Sequence, residues 1–348
     1  MPAMSEFAAA LIRWHAVHGR HDLPWQRSAD PYRVWLSEVM LQQTQVATVI
    51  PYYERFLARF PDLAALARAD ESDVMALWAG LGYYARGRAL HAAARAVVEL
   101  HGGRFPSSAE ALSTLPGIGP STAAAIAAFC FQERAAILDG NVKRVLARHA
   151  GIDGDTASAP THRRLRACAE ALLPADRRDM PAYTQAIMDL GALVCTRRAP
   201  RCEACPVRDS CHARSAARID ELPGRRAPRK TVVRRVHMLI AVHRRRVLLQ
   251  QRPGAGIWGG LLAPPQFESA AALRRALRRL GEIRDVEVMP SRRVQFTHLA
   301  LDCTPHVARL QAPTPGCAEP DHRWLRFDDI DEAPLPAPVH AWLREMAT

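Results

Sequence analysis

No stretch of this sequence approaches the run of about 18 apolar residues that a membrane-spanning helix requires. No internal repeat is visible either, which sets aside solenoid and propeller architectures. The opening MPAMSEFAAALIRWHAVHGR places an acidic residue and polar interruptions where a secretory signal would be apolar. A cytoplasmic protein with reduced cysteines is therefore expected. Acidic residues are outnumbered: 47 Lys and Arg face 35 Asp and Glu, a formal net charge of +12. The cations are spread along the chain and not gathered in one tail, a distribution that favours a broad phosphate-facing surface.

What is present suits two domains, since 348 residues with 49% hydrophobic content exceed one ordinary core. Residues 1–222 read as helical, with apolar positions recurring at three and four. Asp30-Pro31 is a cap followed by proline at the first helical position, opening the helix that carries Glu38. Ser107 and Glu110 form a capping-box pattern ahead of Ala111–Leu115. Pro181 opens a further helix, AYTQAIMDLGALVC. Residues 223–232, PGRRAPRKTV, have the composition of a basic linker. Residues 233–348 change character: VHMLIAVHR and RVLLQQR alternate as strands, a helix spans Ala270–Leu280, and VEVMP, RVQFTHLAL and HRWLRF are further strands. The expected fold is therefore multidomain, all-α followed by α+β.

Three segments of the helical part carry chemistry. LSTLPGIGPSTAAAIAAF, within about residues 107–130, places Pro116-Gly117-Ile118-Gly119-Pro120 between two helices. The glycines let backbone N–H groups approach a phosphate, and the next helix adds its positive N-terminal dipole. This helix-hairpin-helix pattern grips a DNA backbone without reading its sequence. CTRRAPRCEACPVRDSC, residues 195–211, has four cysteines, Cys195, Cys202, Cys205 and Cys211, able to hold zinc or a [4Fe–4S] cluster. Arg197, Arg198, Arg201 and Arg208 stud the same loop and suit phosphate. In ILDGNVKR, Asp139 precedes a glycine and a new helix, as an ordinary N-cap aspartate does. Glu38, in VWLSEVML, has no Lys or Arg within a helical turn. It lies either against apolar neighbours Val34, Trp35 and Leu41, or on a polar stripe with Ser37, Gln42 and Gln45.

The hairpin, the downstream Asp139 and the four-cysteine loop, in that order, resemble the helix-hairpin-helix DNA glycosylases. LPWQ (23–26), SEVMLQQTQV (37–46), GLGYYARGR (80–88), ILDGNVKRVLAR (137–148) and QAIMDLGALVC (185–195) narrow the resemblance to adenine DNA glycosylases of the MutY type. Those enzymes remove adenine mispaired with 8-oxoguanine. The resemblance implies base-excision repair on double-stranded DNA holding 8-oxoguanine:A or G:A pairs, with a [4Fe–4S] cluster in the cysteine loop and zinc as the alternative. It makes Glu38 a general acid for the leaving adenine, and Asp139 the group facing the positive sugar, as partner or transient nucleophile. Trp25, Gln26 and Gln185 are then expected to line the adenine pocket. Gln43, Thr44, Leu81, Tyr83, Gly117, Gly119 and Ser121 are expected on the DNA, with Gln43 and Tyr83 at the base stack. Relatives that also cut the backbone carry a lysine where this chain has Ser121, so a monofunctional glycosylase is implied.

Residues 233–348 resemble the Nudix-like lesion-recognition domain of the same family. The frame of a Nudix box survives from Gly260, but Gln266 replaces its first glutamate. Arg274-Arg275-Ala276-Leu277-Arg278-Arg279-Leu280-Gly281 then lacks the others. Arginines cannot bind Mg²⁺, so no pyrophosphohydrolase activity is expected. Phe296-Thr297-His298 resembles the family's Phe-Ser-His loop, with threonine for serine, which tells 8-oxoguanine from guanine. The resemblance further implies a monomer, associated with the nucleoid and not with membrane. Two other readings of the motifs are an endonuclease III-like glycosylase on oxidised pyrimidines and a non-catalytic, zinc-stabilised DNA-binding protein.

Overall fold

Asp30 accepts a hydrogen bond from the Tyr32 backbone N–H at 3.0 Å, and Pro31 begins the helix Pro31–Leu41. This local chemistry, a capped start with proline pre-set for the first turn, puts Glu38 in the helix's last two turns. The computed structural model describes residues 3–224, 231–254, 256–296, 299–314 and 321–347. Two units divide the chain: Met1–Arg68 with Ala89–Ala227, and Ala69–Arg88 with Pro228–Thr348. Among the described residues, no helix is long and apolar enough to cross a membrane.

The first unit is built from helices. At its centre, Pro120–Phe131 buries Ala123 through Ala128 with Ile126, apolar on every face. Such a helix has no polar side to show water and must sit inside. Its methyl side chains let neighbours approach closely, and Pro31–Leu41 and Met180–Asp189 both pack against it. Phe7 and Leu11 of the helix Ala3–His18 join the same core, with Val142, Val145, Leu146, Ile187 and Leu190.

The hairpin precedes this helix. Ser108, not Ser107, caps the short helix Ala109–Leu112, accepting from the Ala111 N–H at 3.2 Å. The capping box expected from Ser107 is thus shifted by one residue. Glu133, not Glu110, bonds the Ala109 N–H, at 2.6 Å. Leu115 and Ile118 bury on either side of Gly117, which has a left-handed φ of +73°. A Cβ there would lie 2.5 Å from the Ala89 Cβ, whereas a Cβ on Gly119 would meet nothing within 4 Å. Gly117 therefore serves the turn, and Gly119 leaves open space beside the helix N-terminus.

The expected helix from Pro181 is present as Met180–Asp189, and it then loosens into a π-helical turn, Leu190–Val194. The second unit contains one mixed eight-stranded sheet. Its strands are β1 (Val232–His243), β2 (Arg246–Gln251), β3 (Leu262–Ala263), β4 (Gln266–Phe267), β5 (Gly281–Val288), β6 (Arg292–Gln295), β7 (Leu299–Pro313) and β8 (His322–Arg326). The path runs β3-β2-β1-β7-β5, with β1 and β7 parallel from Val232↔Leu299 to Val242↔Arg309. Period-two alternation sends Val236, Met238 and Ile240 to one face, against Val339 and Leu343 of the helix Ala337–Ala347. Leu239 and Ala241 face the other way, against Leu273, Leu277 and Leu280 of the helix Ala270–Leu280. That helix leaves Arg274, Arg275, Arg278 and Arg279 exposed. Met75, from the helix Glu71–Trp78, belongs to the first of these cores. Most of the expected linker, residues 225–230, lies outside the described residues.

The two hairpin glycines make a controlled comparison. Gly117→Ala is expected to cost about 1–3 kcal/mol, from strained backbone and overlap with Ala89. Gly119→Ala should cost under about 1 kcal/mol. Urea midpoints of the two variants check this, and equal midpoints would contradict it.

Candidate active site

A cleft of about 330 Å³ opens in the first unit, lined by Trp25, Gln26, Val34, Glu38, Phe129 and Gln185 among others. The sequence-predicted pocket residues thus come together from three separate segments. Trp25 reaches it from the 3₁₀ turn Pro24–Arg27 and is 7% exposed, its ring edge-on to Tyr53 at 5.5 Å. It is a core aromatic and a cleft wall at once. Gln26 accepts from the Leu23 N–H at 3.3 Å, which ties its carbonyl into its own turn.

Glu38 is half-buried in this cleft and accepts no hydrogen bond from the described residues. Ser37, beside it, is buried and donates to the Val34 carbonyl at 2.8 Å, so the polar-stripe reading does not hold at that position. Burial pushes the Glu38 carboxyl up to about 7, and the Asp139 carboxylate adds to the shift. No cation opposes it.

Asp139 caps the helix Gly140–His149 and accepts from the Val142 N–H at 2.7 Å. Burial raises its pKa. The backbone N–H groups of Val142 and Asn141, with Arg144 and Lys143, pull against that rise. The N-cap reading of Asp139 is therefore correct and compatible with a second role. Ser121 accepts from the Leu138 N–H at 3.0 Å, binding the segment before Asp139 to the start of the central helix. The two carboxyls have contrasting surroundings: one has donors and a helix N-terminus, the other has neither.

Gln43 and Tyr83 share an unusual feature, each being a non-glycine residue with positive φ, +57° and +47°. Both are exposed. Thr44 bonds back to the Gln42 carbonyl at 3.4 Å, and Gln42 donates to Thr122 at 3.2 Å. In the second unit, Leu81 is buried and Arg86 rivets the GLGYY turn. Arg86 donates to the Leu81 and Gly82 carbonyls at 3.3 Å and lies over the Trp78 and Tyr83 rings. Phe296 is half-buried, 6.3 Å from Trp258. Thr297 and His298 lie outside the described residues.

Cys195, Cys202, Cys205 and Cys211 line one small apolar cavity, closed by Val145, Leu190, Val194 and Val207. None of the four is joined in a disulfide. Among the described residues, no group of three or more His, Cys, Asp or Glu is set to hold a single metal ion. Four soft sulfur donors around one apolar space nonetheless form the donor set of an iron–sulfur cluster. Two buried or half-buried arginines brace this loop, and nothing in the sequence singled them out. Arg148 donates to the Leu222 and Thr196 carbonyls at 2.9 and 2.7 Å and to the Cys195 sulfur at 3.4 Å. Arg144 donates to the Cys195 and Gly191 carbonyls at 2.8 and 2.7 Å. Of the four loop arginines, Arg201 bonds the Leu193 carbonyl and Arg208 pairs with Glu203. Arg197 and Arg198 point outward from the loop, exposed.

Three family models match the chain: a HhH-GPD superfamily base excision DNA repair protein over residues 36–169, a NUDIX domain over 236–345, and the iron-sulfur binding domain of endonuclease III over 195–211. The last match, over the loop that carries all four cysteines, identifies the cofactor as a [4Fe–4S] cluster. The adenine DNA glycosylase of Buchnera aphidicola subsp. Acyrthosiphon pisum (strain APS) is 32% identical, over 96% of this chain and 95% of its own length. The adenine DNA glycosylase of Homo sapiens is 45% identical, over 63% of this chain and 41% of its own. Among solved structures, a thermostable thymine-DNA glycosylase is 28% identical with a TM-score of 0.55. It covers 62% of this chain and 98% of its own.

Two measurements check the site. Glu38 titrates higher in the fold, about 7 against an ordinary 4.5. The folded state is therefore favoured while Glu38 is protonated, and that advantage is lost as pH rises through 7. Glu38→Gln should leave stability unchanged near pH 4.5 and raise it by about 2–3 kcal/mol above pH 7. Urea unfolding at both pH values reads the difference, and a gain independent of pH would refute it. Cys205→Ser should lower bound iron and the visible absorbance of the purified protein, both measured directly.

Proposed function

The chain belongs to the adenine DNA glycosylases, base-excision-repair enzymes of the helix-hairpin-helix superfamily, and on that premise we propose that it releases adenine mispaired with 8-oxoguanine or guanine, without cutting the backbone. The observation that carries the chemistry is the contrast between its two carboxyls: Glu38 without a donor or cation, Asp139 with several.

Adenine leaves poorly as an anion. A flipped base in the cleft receives a proton at N7 from Glu38, whose raised pKa keeps it an acid near neutral pH. The C1′–N9 bond then breaks, its electron pair passing into the neutral purine. The sugar is left as an oxocarbenium-like cation, which the Asp139 carboxylate stabilises. Water adds to C1′, and its proton returns to Glu38. Trp25 and Phe129 supply apolar walls for the purine ring, and the Gln26 and Gln185 amides its polar edge.

Ser121 offers a hydroxyl engaged by the Leu138 N–H, and no amine to form a Schiff base with the sugar. Gly119, with open space beside a helix N-terminus, suits a phosphate, as do Arg197 and Arg198 on the cluster loop. The cluster, when bound, ties the four cysteines into one rigid loop. Gln43 and Tyr83, each on strained backbone, suit residues that fill or wedge the base stack near the lesion. Phe296-Thr297-His298 reads the lesion, whose N7–H and O8 are absent from guanine. The protein works as a monomer on the nucleoid.

Duplexes with 8-oxoguanine opposite A or C, followed by alkali, test this reading. Abasic sites should form only in the A duplex, and Glu38→Gln should lower the single-turnover rate by at least about 100-fold. Borohydride should trap almost no covalent adduct. Equal rates in Glu38→Gln, or efficient trapping, would overturn it.

A further inference from the structure

Asp189 closes the helix Met180–Asp189 and is wholly buried. It receives the Arg20 backbone N–H at 2.8 Å, the Arg20 Nε at 2.9 Å and its terminal nitrogen at 2.5 Å. His15 Nε2 stands 3.4 Å away. Burial alone would raise its pKa, but the nearby His15 ring and the hydrogen bonds from Arg20 outweigh it and hold the group at about 2. One turn earlier, the Gln185 side-chain nitrogen donates to Asp189 Oδ1 at 3.0 Å.

A side-chain amide can be turned over by half a rotation, exchanging donor for acceptor. Beside an ionised carboxylate, only one of the two orientations is stable, because the carboxylate only accepts. The Gln185 nitrogen must face Asp189. Its oxygen is left over, bonded to none of the described residues and not among the buried unpartnered atoms. Gln185 lines the cleft with Glu38, so the free oxygen belongs to the cleft. The cleft then presents an acid donor and a fixed acceptor.

We propose that Asp189, anchored by Arg20, is a positioning residue that locks Gln185 as an acceptor and thereby selects 6-amino over 6-oxo purines. Adenine shows an acceptor at N7 and a donor at N6, the complement of Glu38 and Gln185. Hypoxanthine and guanine show an oxygen at position 6, which would face the Gln185 oxygen with no proton between them. A site built around a hydrogen bond rejects the analogue that cannot make it far more strongly than an apolar pocket does. The inference rests on the adenine-release reading and adds the origin of its base selectivity.

The test compares single-turnover kcat/KM for adenine and for hypoxanthine, each opposite 8-oxoguanine, with the full-length, cluster-loaded protein. Asn at position 189 would keep its oxygen where Arg20 and Gln185 both donate, so the variant used is Asp189→Leu, which leaves no acceptor beside Gln185 and frees its amide to turn. The adenine-to-hypoxanthine ratio should fall at least about tenfold. Gln185→Leu leaves the buried Asp189–Arg20 pair intact and should lower the ratio likewise, by slowing adenine alone. It carries the test if Asp189→Leu fails to fold. Rates that fall equally for both bases, leaving the ratio unchanged in either folded variant, would reduce Asp189 to a structural role and overturn the inference. A wild-type protein that released neither base would instead overturn the adenine reading, and this inference with it.

Discussion

An ionisable group taken out of water without a partner stays neutral if it can, and Glu38 is such a group. Its helix supplies valine, tryptophan and leucine for company, and the nearest strong electrostatic influence is another carboxyl. The rest of the first unit serves that situation. Helix capping by Asp30 fixes where along the helix Glu38 falls, and the cleft wall from Trp25 and Phe129 keeps water from crowding it. Asp139 is given the opposite treatment within the same unit, with a helix N-terminus to favour its charge. Two chemically similar side chains thereby meet different surroundings: burial raises both, and only at Asp139 do donors and cations pull against the rise.

The two parts of the protein solve separate packing problems. The helical unit surrounds one helix that is apolar on all sides, so its neighbours are positioned by how closely they can approach a row of methyl groups. The second unit sandwiches a mixed sheet between helices, and the strict alternation of β1 assigns each residue to one face or the other. The helix Ala270–Leu280 shows how a frame outlives its chemistry. Its three leucines still bury on the sheet, while the positions that would carry metal-binding glutamates hold exposed arginines.

Much of this was legible in the sequence, because the informative features are local. Asp30-Pro31 marked one helix start, the span Ala270–Leu280 needed no adjustment, and the strand-like runs marked β1, β2, β8 and parts of β5, β6 and β7, whereas RVQFTHLAL divides between β6 and β7 and the two-residue β3 and β4 carried no signal. Where the local signal was ambiguous, geometry decided: two adjacent serines compete to cap Ala109–Leu112, and Ser108 wins with the better-placed hydroxyl. Glu38, Trp25, Gln26 and Gln185 were nameable through the resemblance, and the fold gathers them into one cleft. The residues that hold the site in shape were not legible. Asp189 and Arg20 are 169 residues apart, and Arg144 and Arg148 reach about 50 residues along the chain to the cluster loop. No periodicity encodes such pairs. An aspartate inside an apolar helical pattern, as in AIMDLGALV, was the one available hint that a distant cation must exist.

The alanine-rich centre has an evolutionary corollary. From Ala123 to Ala128, five of six residues already carry the smallest side chain that a good helix former can have. Nearly every missense change there adds volume to a close-packed interior, and the main exception, glycine, loosens the helix instead. Sequence drift at the heart of this enzyme is therefore blocked on both sides, whereas the leucine-lined face of its partner unit can exchange one bulky aliphatic for another. Divergence among relatives should accumulate faster in the sheet than around the central helix, for reasons of volume alone.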